Sequence, residues 1–134
     1  MPSALARRRS GYEHGIEIRE HRLIMDEPQD RGGTDRGPTP TELLAASLAS
    51  CTSVTLLMYA DRKGWELGQI AVSVDYTTPE PGESVRLEVK IRTPAELSDE
   101  QRERLLVIAG KCPVHRTLMA QDVNIDDSLE TVPA

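Results

Sequence analysis

Two cysteines, Cys51 and Cys112, are the residues in this sequence best suited to covalent chemistry. Cys112 stands in KCPVHRTL (111–118), directly before a proline and shortly before His115. Gly110 ends one helical pattern and Pro113 suits the first position of the next, which puts Cys112 at or beside an N-cap. Unpaired backbone N–H groups, the positive end of the helix dipole, Arg116 one turn on and His115 on the same face all favour a thiolate there. The plainer alternative is a small apolar residue opening a helix. Cys51 lies inside LLAASLASCTSVTLLMYA (43–60) and gets no such help from its own helix. Taken alone it reads as a core cysteine, since Cys is among the most buried residue types. Its hydroxyl neighbours Ser47, Ser50, Thr52 and Thr55 weigh the other way, because they can donate to a thiolate or a bound oxygen. On local grounds Cys112 is the better activated thiol. A metal site is a third alternative: Cys112-x-x-His115 has ligand-like spacing, and Cys51 with His14 or His21 would complete a tetrahedron.

The elements that must carry these residues are legible in outline. The segment YEHGIEIREHRLIMDEP (12–28) alternates at Ile16/Ile18 and Leu23/Met25, which predicts two short strands meeting near Arg19-Glu20. A loop, QDRGGTDRGPTP, follows by composition. Thr39, Pro40 and Glu42 then form a Thr-x-x-Glu capping box with proline in first position, so a helix is expected from there to Lys63, stopping at Gly64. At about 100° per residue, Leu44, Leu48, Cys51, Thr55 and Met58 share one stripe of that helix. Glu42, Ala46, Ala49, Ser53, Leu56 and Ala60 share the opposite one. A helix that is apolar or small on both sides must be covered on both.

QIAVSVDY (69–76) and VRLEVKI (85–91) predict a hairpin across TTPEPGES, with Ile70/Val72/Val74 meeting Val85/Leu87/Val89 on one buried face. Ser98 and Gln101 open a second capped helix ending near Gly110. DVNI (122–125) is expected to close the fold as a strand. The order of elements predicts an α+β domain with its antiparallel-rich sheet on a long central helix. A sheet covers only one side of that helix, so a homodimer is expected, with a partner subunit covering the other.

The totals bound the remaining classes. The chain has 134 residues, enough for a single domain spanning 1–134, and with no Phe its core must come from Leu, Val, Ile and Ala. The net charge of -6 argues against nucleic acid as a partner. Arg7-Arg8-Arg9 is too short for a polybasic anchor and reads as part of a solvated, flexible arm over 1–11. SGYEHGIEI follows that run instead of an apolar signal segment, and five hydroxyl residues make 43–60 too polar for a convincing membrane span. The expectation is a cytoplasmic protein with no membrane partner, in which two cysteines are redox-active rather than a permanent staple.

HRLIMDEP (21–28), GGTDRGPTPTELLAASLASCTS (32–53) and KCPVHRTL (111–118) followed by DVNI resemble the OsmC/Ohr family, the osmotically inducible and organic hydroperoxide resistance proteins, in particular its OsmC-like branch. The resemblance implies a thiol-dependent hydroperoxide reductase built as an intertwined homodimer, with active sites at the subunit boundary and no metal or organic cofactor. It implies that Cys51 is the peroxidatic cysteine and Cys112 the resolving one, the reverse of the local ranking. It also implies an organic hydroperoxide as oxidant and an external dithiol, lipoyl-type or a small thiol, as reductant. In the hydroperoxide-resistance branch a catalytic Glu stands ten positions before the helix cysteine. Here Thr41 holds that position and Glu42 stands nine before, facing away from Cys51 on its own helix, so Glu42 is a candidate for catalysis and equally for a cap alone. That branch also has an early activating Arg, for which Arg9, Arg19, Arg22 and Arg36 are the candidates. The competing reading is a non-catalytic dimeric module that binds an apolar small molecule or a protein partner.

Overall fold

A computed structural model describes residues 3–77 and 79–133. The elements run β1 (Leu5–Ser10), β2 (Glu13–Ile18), β3 (His21–Met25), α1 (Pro40–Lys63), β4 (Ala71–Thr77), β5 (Arg86–Arg92), α2 (Asp99–Ala109) and α3 (Pro113–Met119). They form an α+β fold with two antiparallel sheets, β1-β2-β3 and β4-β5. The chain divides into two compact units, one holding residues up to Ser50 with Ala71–Arg92, the other Cys51–Ile70 with the residues from Thr93 onward. Helix α1 contributes residues 40–50 to the first and 51–63 to the second.

In the first unit, β2 and β3 pair from His14↔Met25 to Ile18↔His21, with the tight turn at Arg19 taking the left-handed conformation (φ 53°). The expectation of a flexible arm over 1–11 is corrected for its second half. Leu5–Ser10 is a strand paired with β2. Its arginines are not merely solvated: Arg9 pairs with Glu13 at 3.1 Å, and Arg7 reaches Glu17 at 3.8 Å. Three consecutive arginines on this exposed edge strand also discourage edge-to-edge association.

The loop from Asp26 to Pro38 is organised by the Asp26 carboxylate, which is fully buried. One oxygen accepts from the Glu27 N–H at 2.7 Å. The other accepts from the Thr34 hydroxyl at 2.7 Å and from the N–H groups of Thr34 and Arg36 at 3.3 and 3.1 Å. These donors, the Thr34 hydroxyl foremost, hold its pKa below the usual aspartate value despite burial. Gly33 is needed for space, since a Cβ there would lie 1.9 Å from the Glu27 carbonyl oxygen.

The loop delivers the chain to α1 through the expected capping box. Glu42 Oε1 accepts from the Thr39 N–H at 2.8 Å, and Thr39 Oγ1 accepts from the Glu42 N–H at 3.2 Å. The hairpin β4–β5 lies by the first half of α1, where Tyr76 Oη donates to Thr41 Oγ1 at 2.8 Å. Its half-buried face carries Val72, Val74, Tyr76, Leu87, Val89 and Ile91. The register is Val72↔Ile91, Val74↔Val89 and Tyr76↔Leu87, so the facing set lies two residues further along both strands than expected, and Ile70 falls outside β4. Val85 falls outside the strand and is 65% exposed.

In the second unit, α1 ends as expected, with Gly64 in the left-handed conformation (φ 72°) and the Trp65 N–H returning to the Ala60 carbonyl at 2.8 Å. Helix α2 opens with the complete Ser98/Gln101 capping box. The core here is Leu56, Tyr59, Ala60, Leu67, Leu105, Ile108, Ala109 and Cys112. Tyr59 is tied to α2 by Arg104, whose Nε donates to its hydroxyl at 2.9 Å. The expected closing strand at 122–125 is absent. Val123 and Ile125 are 52% and 80% exposed and pair with no strand among the described residues, and a strand cannot exist without a ladder.

The stripes of α1 also need correction. Its buried line is Ala45, Leu48, Thr52, Leu56, Tyr59 and Ala60, at helical spacing. Leu44, Val54 and Met58 line the side that carries Cys51 and are 45%, 48% and 59% exposed. One long face of an apolar helix is therefore left uncovered by the described residues.

Candidate active site: a pair of unequal thiols

The second unit brings the two cysteines together, although sixty residues of chain separate them. Both are free thiols, with Cys51 half-buried and Cys112 fully buried. Cys112 is the N-cap of α3, as the Gly-Lys-Cys-Pro sequence predicts, and its Sγ accepts from the His115 N–H at 3.4 Å. Pro113 occupies the first helical position and has no N–H to offer, so the first free donors are those of Val114 and His115.

The environments split the two acidities. Burial alone pushes the Cys51 thiol up, but the Cys112 side chain, the Val114 N–H and the Thr55 hydroxyl all donate to its sulfur and bring its pKa below the ordinary thiol value. Cys112 moves the opposite way. Burial raises it, the adjoining Cys51 raises it further, and the N–H groups of His115 and Val114 only partly offset this. Of the pair, Cys51 is the more acidic thiol and Cys112 the less acidic one. The ranking drawn from local sequence is thereby reversed: Cys112 has the helix start, but Cys51 shares its donors and adds Thr55.

Glu42, Arg9, Arg22 and His14 have other engagements, while Arg19 and Arg36 are placed through their backbone. Glu42 is the cap of α1, two and a half helical turns before Cys51 and so on the opposite face. Arg9 and Arg22 are paired with Glu13 and Glu17 at 3.1 and 2.9 Å. Arg19 forms the β2–β3 turn, and the Arg36 backbone N–H donates to Asp26. His14 Nδ1 lies 2.8 Å from the Tyr12 carbonyl oxygen. Among the described residues no three His, Cys, Asp or Glu side chains converge as metal ligands. Sequence reasoning missed the Val114 N–H, although a proline at the first helical position signals that free donors begin at the next residue.

The chain belongs to the OsmC family of OsmC-like proteins, which matches residues 33–126. No curated protein matches it. Its fold is that of solved OsmC and Ohr structures. A protein of Psychrobacter arcticus 273-4, described as a putative osmotic stress induced and detoxification response protein, is 22% identical, with 91% of this chain and 90% of that one covered and a TM-score of 0.80. The organic hydroperoxide resistance protein OsmC of Legionella pneumophila is 20% identical, covers 89% of each chain and gives a TM-score of 0.68. The organic hydroperoxide resistance protein OhrB of Bacillus subtilis is 21% identical over 90% of this chain and 92% of that one, with a TM-score of 0.62. In this α+β fold α1 is the long central helix. By length and composition alone it would also pass for a membrane span.

Proposed function

We propose that this protein is a thiol-dependent peroxidase that reduces organic hydroperoxides. The observation carrying the reading is the pair of free thiols with divided acidity, Cys51 lowered and half-exposed, Cys112 raised and buried. The names of the Legionella and Bacillus relatives support the same chemistry. Cys51 thiolate attacks the distal oxygen of ROOH. The O–O bond breaks, the alkoxide takes a proton to leave as ROH, and Cys51 becomes a sulfenic acid. The Cys112 thiol then displaces hydroxide, which leaves as water with the thiol proton, and a Cys51–Cys112 disulfide forms. An external dithiol, lipoyl-type or a small thiol, reduces that disulfide and is itself oxidised.

The preference for organic peroxides rests on Leu44, Val54 and Met58, which are exposed on the side of α1 that carries Cys51, whereas Leu48 is buried. A second copy of the chain laid on that stripe would complete the apolar walls, so the active form is a homodimer. Glu42 and one of the four arginines are then candidates to act from the partner subunit. The reducing chemistry fits a cytoplasmic setting. The test is peroxide consumption by the purified full-length chain with dihydrolipoamide. Cumene hydroperoxide is expected to be reduced faster than hydrogen peroxide, and consumption of neither would refute the reading.

A further inference from the structure

We propose that the second unit holds a binding site for an aromatic monocarboxylate, in a cavity walled by Tyr59, Lys63, Trp65 and Arg104 where the end of α1 meets α2. The cavity has a volume of about 800 Å³, within the range of small-molecule sites, and neither cysteine lines it. The inference therefore goes beyond the thiol chemistry and does not rest on it.

Two cations without a counter-charge point to an anion. Glu100 stands one turn before Arg104 on α2, the order of charges that ordinarily pairs along a helix. Arg104 does not take that partner. Its Nε donates to the Tyr59 hydroxyl at 2.9 Å, and its Cζ lies 5.6 Å from the centre of the Tyr59 ring. Lys63 Nζ lies 5.7 Å from the same centre. Among the described residues neither cation forms an ion pair with a carboxylate. The negative end of α1 explains a cation at Lys63, but not why Arg104 leaves Glu100. Two like charges gathered on one ring repel each other, and a bound anion would offset that repulsion. Their field reaches the ring oxygen. The Tyr59 pKa is lowered, first by the Arg104 hydrogen bond and further by the charges of Arg104, Lys63 and Lys111, against the effect of burial. Arg104 uses only its Nε–H on Tyr59, so among the described residues its two terminal nitrogens are free to grip a carboxylate side by side.

The walls select the rest of the ligand. Aromatic residues make up 3% of the chain, yet Tyr59 and Trp65 both line this cavity. They meet edge to face, with ring centres 5.6 Å apart at 73°, an arrangement that leaves ring surface open to a planar group. Val107, 51% exposed, adds an apolar wall. Glu100 and Glu103 also line the cavity. Their charges limit what the two cations will accept, admitting one negative charge and repelling a second. A ring bearing a single carboxylate fits these demands better than phosphate or a polyanion.

The test is calorimetric titration of the full-length protein with phenylpropionate, followed in parallel by the emission of Trp65, the only tryptophan of the chain. Saturable binding with a change in Trp65 emission is expected. Phenylpropionamide keeps the ring without the charge, and propionate keeps the charge without the ring; each should bind roughly tenfold or more weakly. Inorganic phosphate should bind more weakly than phenylpropionate. Arg104→Gln should weaken phenylpropionate roughly ten- to a hundredfold, and Lys63→Met roughly three- to tenfold. Glu103→Gln should tighten it. The proposal is overturned by an absence of saturable binding, by an amide that binds as well as the acid, by phosphate preferred to the acid, or by binding indifferent to both cations. Arg104→Gln also removes the tie between α2 and Tyr59, so its thermal unfolding is measured. If it does not fold, Lys63→Met and the comparison of acid with amide on the unaltered chain still decide. None of these readouts involves peroxide or a thiol, so failure of the peroxidase reading would leave the site standing, and the reverse.

Discussion

Cys112→Ala should make Cys51 a weaker acid, and Cys112→Ser should not. In the folded protein the Cys112 thiol donates to Cys51, and that donation is the largest of the effects lowering the Cys51 pKa, ahead of the Val114 N–H and the Thr55 hydroxyl. Alanine removes the donor and leaves the other two. A hydrogen bond to a charged group corresponds to a shift of about one to two pH units, so the Cys51 midpoint should rise by that amount in Cys112→Ala. Serine keeps an O–H donor of nearly the same size, and its midpoint should stay near that of the wild type. The reciprocal change has the opposite sign. Cys51→Ala removes the neighbour that raises Cys112, so the Cys112 pKa should fall, although burial still holds it up. The assay is the rate of iodoacetamide alkylation against pH, resolved by residue through peptide mass. Thermal unfolding of each variant confirms that the fold persists. A Cys112→Ala midpoint equal to or below the wild type would show that the donation runs the other way, and the assignment of the more acidic thiol to Cys51 would fall with it.

Three further outcomes test the scaffold around the thiols. Gly33→Ala must push its Cβ away from backbone atoms of Glu27 at 1.9–2.8 Å, and should cost about 3 kcal/mol or more. Gly64→Ala, left-handed but with nothing within 4 Å, should cost only about 1–2 kcal/mol in the same denaturant titration; equal losses would contradict the steric argument. Thr52→Val replaces a buried, unpartnered hydroxyl by a methyl and should raise stability by about 1 kcal/mol, whereas a fall in the unfolding midpoint would reveal a partner for that hydroxyl. Asp26→Asn should be less stable than wild type at neutral pH. Because the folded-state pKa of Asp26 is lowered, its contribution is complete above the ordinary aspartate value and is lost as pH falls through the lowered one. The gap between the two proteins should therefore narrow on acidification, and a gap independent of pH would count against the role given to its charge.

The parts of this fold that were legible in sequence are those specified by neighbours along the chain. Thr39 with Glu42 and Ser98 with Gln101 close their capping boxes, Gly64 ends α1, and Pro113 starts α3. What misled was set by residues distant in sequence. Arg7 and Arg9 read as a solvated arm because the glutamates that neutralise them, Glu17 and Glu13, meet them only when β2 folds back. DVNI alternates like a strand, yet alternation supplies no ladder partner. The thiol ranking failed for the same reason. Cys51 has an unremarkable helix of its own, and two of its three donors arrive from the start of α3.

The central claim is that these two sulfurs are the working pair and that Cys51 is oxidised first. Intact-mass measurement after one equivalent of cumene hydroperoxide tests it most directly. Wild-type chains should lose two hydrogens as the disulfide forms, and Cys112→Ser should instead gain one oxygen, trapped on Cys51 by a sulfenic-acid probe. An unmodified wild-type mass, or an oxygen found on Cys112 in Cys51→Ser while Cys51 stays inert in Cys112→Ser, would contradict the account.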